Sequence, residues 1–250
     1  MSLPHHSRSV RMALVGLLVV AAISVAAGSG RKPAKEVQSA VSLRHISTSE
    51  AMDILQKFPE LVPSFLAARR NDAEYMAGTF GFVEVSEPTL ARVFPAAHFY
   101  LGHDFTSPPR HPYLMAIDEG KGYSMPYGFN RLLIDNGMNV TNKNIIELAE
   151  AFIIAAIYGE QGPSTEVTFL GATRAKYVIS GDDYDACVRV QIGQQTEEWF
   201  FSLPVGLGQF GTVERRGPKG YIDEYNPAEA RPRHGPGQVN PTPNAPKQQK

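Results

Sequence analysis

Apolar and polar positions follow several different rhythms along this chain. From Met12 to Gly30 the sequence MALVGLLVVAAISVAAGSG carries no charge and no continuous polar face. Beyond it, Ala51, Ile54, Leu55 and Phe58 recur at helical spacing behind a Ser47-x-x-Glu50 capping box, with Pro59 as the stop. A second helix is expected from Pro63 to Gly78, with Val62, Phe65, Leu66, Ala73 and Met76 on one face. Thr79 to Val85 alternates as a strand, whereas Pro95 to Pro112 reads as irregular because Pro108-Pro109 breaks any regular element. Tyr113–Asp118 and Tyr123–Met125, joined through Glu119-Gly120-Lys121-Gly122, form a predicted hairpin. Phe129 to Ile134 reads as a short helix closed by Asn136-Gly137.

The strongest helical signal runs from about Lys143 to Tyr158. Asn144 and Glu147 have capping-box spacing, and Gly159 stands where a stop is expected. Its body is apolar nearly all round and too short to span a bilayer, so it is expected to be buried on more than one side. Strands follow. The odd positions from Val167 to Ile179 form one face, with Arg174 and Lys176 on the other, and Gly181-Asp182-Asp183 turns the chain. Ala186, Val188, Val190 and Ile192 then alternate with Cys187, Arg189 and Gln191. After Gly193-Gln194 come Glu198 to Leu203 and an edge strand from Gln209 to Arg215. Period-two alternation of this kind implies an antiparallel sheet with one face on a core.

The predicted fold class is therefore α+β: a buried central helix on an antiparallel sheet of three to four C-terminal strands, preceded by short helices and a hairpin. A helix followed by such strands is similar to the layout of cone-shaped cystatin-like and NTF2-like folds, and no motif ties the chain to a named family. Four segments are expected: residues 1–30 as signal peptide or membrane anchor, 31–44 as tether, 45–225 as a single α+β domain, and 226–250 as a disordered Pro- and Gly-rich tail.

The N-terminal segment determines location. Arg8 and Arg11 precede it, and Ser24-Val25-Ala26 and Val25-Ala26-Ala27 both fit a signal cleavage site. Its length suits either a cleaved signal or a retained single membrane segment, and basic residues flank both ends, so orientation is not fixed by charge. The expected location is extracytoplasmic, secreted or anchored, with the membrane as a partner. A net charge of −1 gives no field of one sign, which removes nucleic acid from the partners. One cysteine, Cys187, excludes an internal disulfide and a thiolate-rich zinc site.

Candidate chemistry is sparse. His98, His103, Asp104 and His111 bring imidazoles and a carboxylate close together in sequence, a workable set for a divalent metal. They lack the i, i+4 spacing of His-Glu-x-x-His helices and sit among prolines. A metal-dependent enzyme built on them is the alternative function. Gly122-Tyr-Ser-Met-Pro126 resembles a nucleophile elbow but has Pro in place of the second Gly, with His234 as the only histidine downstream. Asp182, Asp183 and Asp185 lack calcium-loop spacing and read as a solvated turn. Cys187, beside Arg189, reads as a partly exposed, inert strand residue. Asn139-Val140-Thr141 is a glycosylation pattern in the loop before the long helix. Tyr113, Tyr123, Tyr127, Phe129 and Trp199 are the aromatic candidates for a ligand or protein-partner surface; the competing reading puts them in the core. Trp199, Phe200 and Phe201 are consecutive, so one sheet face must carry an aromatic that is either covered or available for association. A pocket between the helix and the concave sheet face is a further expectation. The leading reading is an extracytoplasmic, non-catalytic domain that binds a partner or small ligand.

Overall fold

Two antiparallel meanders, each of five strands, enclose the apolar helix in the computed structural model of the chain. The structure describes residues 41–61, 80–104, 112–179 and 181–227. The apolar run 12–30, the helix expected at Pro63–Gly78, His111 and the tail beyond 227 lie outside them.

The first meander comprises β1 (Ser42–His45), β2 (Phe80–Ser86), β3 (His98–Asp104), β4 (Tyr113–Asp118) and β5 (Lys121–Ser124), paired in chain order. Helix α1 (Thr48–Lys57) follows β1 and opens as its capping box dictates, the Ser47 hydroxyl accepting from Glu50 N–H at 3.2 Å. A short 3-10 turn at Pro59–Leu61 closes it. Helix α2 (Pro88–Val93) has Pro at its first position, and its cap is the buried Glu87 carboxylate, which accepts from Leu90 N–H at 2.7 Å. Glu119 and Gly120 both take positive φ, the signature of the tight turn that joins β4 to β5. Helix α3 (Phe129–Asp135) ends at Asn136-Gly137 as expected.

Strand β3 occupies 98–104 of the segment expected to be irregular at 95–112, of which 105–111 lie outside the described residues. The reason lies in its two buried faces. Phe99 and Leu101 enter the main core, while Tyr100 packs with Phe82 and Met115 beneath α1. A strand covered on both sides shows little polar alternation, so its sequence does not advertise it. Strand β1 likewise pairs with β2 from Ser42, inside the stretch read as tether.

The central helix, α4, runs from Ile145 to Gln161. It contacts β4 on one side and, on the other, β6 (Val167–Ile179) and β7 (Asp182–Ile192) of the second sheet, and α2 lies alongside. Two sheets around one helix explain a sequence with no polar face: Leu148, Ala149, Ala151 and every residue from Phe152 to Tyr158 are buried. Both ends differ from the sequence reading. Asn144 makes no side-chain cap; its Oδ1 turns back to accept from Thr141 N–H at 2.7 Å and the Thr141 hydroxyl at 2.9 Å. The helix also passes through Gly159 and stops at Gly162, whose φ of 84° is open to glycine at little cost.

The second meander comprises β6 (Val167–Ile179), β7 (Asp182–Ile192), β8 (Gln195–Phe201), β9 (Val213–Gly217) and β10 (Gly220–Tyr225). Ala186, Val188, Val190 and Ile192 face the helix, as their alternation predicts. Strand β6 departs from expectation. Irregularities between Phe169 and Gly171 and between Arg174 and Tyr177 break its alternation, and Leu170–Lys176 are exposed. Arg174 opposes Ala186 and reaches the Asn142 carbonyl at 2.6 Å.

Candidate functional site

The sequence candidates fall in three places. His98 begins β3 and is mostly exposed; its Nδ1 lies 2.7 Å from Glu84 Oε1. Arg44 Nε donates to the other Glu84 oxygen at 2.6 Å and its Nη2 to Glu50 at 2.9 Å. Burial works against charge on Glu84, but the bonds from His98 and Arg44 hold its carboxyl below the ordinary range. His98 thus belongs to a chain of polar side-chain contacts that staples β1, β2, β3 and α1. The backbone of His103 and Asp104 pairs with Gly81 and Phe80 at the far end of β3. Five residues of extended strand separate the Cα atoms of His98 and His103 by about 16 Å, beyond the span of two imidazoles sharing one ion at about 2 Å each. Among the described residues, no three His, Cys, Asp or Glu side chains meet in a metal-holding arrangement.

The aromatic candidates are divided between layers. Tyr113 lies in the cluster beneath α1, edge-on to Phe82. Tyr123 is in the main core and donates its hydroxyl to Asp135 at 2.9 Å. Tyr127 lies at the rim of that core, 6.2 Å from Tyr225, and burial pushes its hydroxyl up to about 12. Phe129 and Trp199 are fully buried. Phe129 meets Phe94 and Phe152 edge-on, and Trp199 stacks on Tyr225 with ring centroids 5.6 Å apart. These two fill the core and do not reach solvent. The space between α4 and the second sheet, where a ligand pocket was expected, holds Phe152, Phe201 and Phe210 in mutual contact.

Sequence reasoning missed a buried ionic cluster at the end of α4. Arg215 on β9 grips Glu197 on β8 with two bonds, of 2.7 and 3.0 Å, and reaches Glu160 of the helix at 2.7 Å. Trp199 donates to Glu197 at 3.1 Å, Tyr225 donates to Glu160, and the guanidinium lies over the Trp199 ring at 5.0 Å. Burial alone would discourage charge on Arg215; the carboxylates of Glu197 and Glu160 reverse that and keep it protonated. Its members come from four elements, so no local motif announces it. The cluster holds β8, β9 and β10 to the helix, and every donor in it has an acceptor.

The outer face of the second sheet is different. Tyr177, Ile179, Tyr184, Cys187 and Phe200 form a small apolar cluster drawn from β6, β7 and β8. Over it lies an open groove with a volume of about 500 Å³, walled by Leu170, Thr173, Arg189 and Glu198 among others. Phe200 is therefore the outward aromatic of the consecutive trio. Arg189 and Glu198 approach to 3.7 Å at the rim, an exposed pair of little energetic weight. Cys187 is buried on the floor rather than partly exposed. Burial first, and then the charge of Glu198, push its thiol up to about 11, far from a nucleophile's range. Asp185 is engaged by Lys176 and by Leu203 N–H at 2.7 Å, which leaves no acidic cluster at the β6–β7 turn among the described residues. Ser124 ends β5 in an exposed position, before a cis Met125–Pro126 bond.

The chain matches no protein-family model, no curated protein and no solved structure.

Proposed function

We propose that this chain is an exported or membrane-anchored extracytoplasmic domain that binds a protein partner or small ligand without catalysing a reaction, using the outer face of its second sheet. The observation that carries the binding surface is an asymmetry of cover. The first sheet has α1 on one face and α4 on the other, whereas the second has α4 on its inner face and no described element on its outer one. An apolar floor under an open groove, next to the long exposed edge of β6, suits an extended or flat partner. Export rests on the uncharged run 12–30 with its basic lead and small-residue exit. We also assign the helix-then-meander order of the second half to the cystatin-like and NTF2-like layout. That layout serves carriers and assembly modules as readily as enzymes, so it leaves the functional reading to the groove.

A cysteine introduced at Thr173, on the groove wall, tests both parts against a control at Lys219 in the exposed β9–β10 turn. Membrane-impermeant maleimide is expected to modify both positions in unlysed cultures, with Thr173→Cys slowed relative to its rate in the purified chain. Modification only after lysis would refute the location. Equal protection of both positions, or protection of neither, would refute an occupied groove.

A further inference from the structure

The loop between β8 and β9 presents an apolar tip that the core does not use. Val205 is 100% exposed and Leu207 61% exposed, yet the loop beneath them is firmly held. Buried Asn130 clamps Phe210 from both sides, donating to its carbonyl at 2.7 Å and accepting from its N–H at 3.1 Å. Ser202 pairs with Gly211 and Thr212 across the loop base. Gly208 accepts from Val140 N–H at 2.8 Å and lies so close to Asn139 that a Cβ there would meet its Oδ1 at 2.6 Å. The tip is thus fixed against the 139–144 loop that leads into α4. Exposed aliphatics are ordinary when scattered singly, so this fixed pair needs a further observation to mark a partner.

The surrounding charge supplies one. Ser202–Thr212 contains no charged residue, and Asn136–Ile146 contains only Lys143, which is exposed. Arg174 adds a second cation by binding the Asn142 carbonyl. Of the nearby carboxylates, Asp185, at the loop base, pairs with Lys176, and Glu147, in the first turn of α4, pairs with Arg92. Apolar tips flanked by two cations fit the interface of a bilayer that carries acidic headgroups.

We propose that Val205 and Leu207, flanked by Lys143 and Arg174, dock this end of the domain on an anionic lipid surface. The inference rests on the reading that residues 12–30 stay in a membrane as an anchor. From Gly30 to Val41 the chain extends about 40 Å at most, close to the diameter of a domain of this size, so the loop lies within reach of the bilayer that holds the run. Docking through two cations and two aliphatic tips is weak alone and becomes effective once the tether keeps the domain near the surface.

The full chain, in a Cys187→Ala background with Val205→Cys carrying a polarity-sensitive fluorophore, is mixed with two kinds of vesicle: phosphatidylcholine alone, and phosphatidylcholine with about one third phosphatidylglycerol. The chain is expected to co-sediment with both. The fluorophore is expected to shift to the blue, and to be quenched by nitroxide-bearing lipid, only on the anionic vesicles; a fluorophore at Lys219→Cys stays in water throughout. Lys143→Gln with Arg174→Gln should lower the docked-to-undocked ratio by on the order of tenfold or more, and high salt should do the same. Co-sedimentation with an unshifted Val205 fluorophore on both vesicles overturns docking and leaves the membrane reading intact. Binding and shift on anionic vesicles alone upholds docking and refutes insertion of residues 12–30. No binding to either vesicle overturns both.

Discussion

Arg215 shows what a single buried side chain does in this fold. It ties β8 and β9 to the end of α4 through Glu197 and Glu160, with nearly all its surface removed from water. Replacing it with Met leaves the Glu197 carboxylate buried and unpaired, which is expected to cost about 3–5 kcal/mol in urea unfolding. Changing both partners, Arg215→Met with Glu197→Leu, should recover most of that loss; equal stability of the single variant and the parent would contradict the assignment. Cys187 gives a pH signature instead. Burial, and then the charge of Glu198, push its folded thiol up to about 11, against about 8.5 for a free one. The neutral thiol's contribution is fully present below the unfolded value and is lost as pH rises towards the folded one, because the unfolded chain gives up its proton first. Between about pH 9 and 11 the urea midpoint of the parent should therefore fall more steeply than that of Cys187→Ala, and parallel curves would contradict a buried thiol. Neither role could be read from sequence: Arg215 has partners 18 and 55 residues away, and the burial of Cys187 depends on Tyr177, Tyr184 and Phe200 folding over the same sheet face.

Element by element, the legible parts were those whose signals are local. The Ser47 cap, the Glu119-Gly120 turn, the end of α3 and the inward alternation of β7 all depend on neighbours within a few residues. Strand β3 and the broken alternation of β6 depend on what packs against them, and were misread for that reason. The end of α4 is the clearest case. Gly159 has the composition of a stop, but a Cβ there would meet the Met125 carbonyl at 3.6 Å and Leu114 at 3.7–3.8 Å, ordinary van der Waals contact, and the helix runs on. Gly159→Ala is expected to stabilise the protein by about 0.5–1 kcal/mol. Gly162→Ala, at positive φ, should destabilise it by about 1–2 kcal/mol. Thermal melts of the two variants moving in the same direction would place the helix end wrongly.

For the molecule as a whole, the layering of helix, sheet, helix and sheet accounts for why α4 has no polar face and why one sheet surface has no described element over it. The helix and strands β6 to β8 could be inferred from the sequence; the edge strand β10 and the five-stranded first sheet could not, and in the first sheet only the hairpin carries a strong turn signal. The metal reading of His98 depended on sequence proximity, and the extended strand separates what the sequence lists together. The proposed function connects to this architecture through delivery: the groove and the Val205 loop would serve it only where a partner or a lipid surface meets them.

Fractionation of the natural protein, with sequencing of its N-terminus, addresses that delivery directly. A water-facing domain sent out by an oily leader should be recovered beyond the cytoplasmic membrane, either trimmed to begin near Ala27 or Gly28 or intact at Met1 in the membrane fraction. An intact chain dissolved in the cytosol would contradict the proposed location, and with it the proposed function.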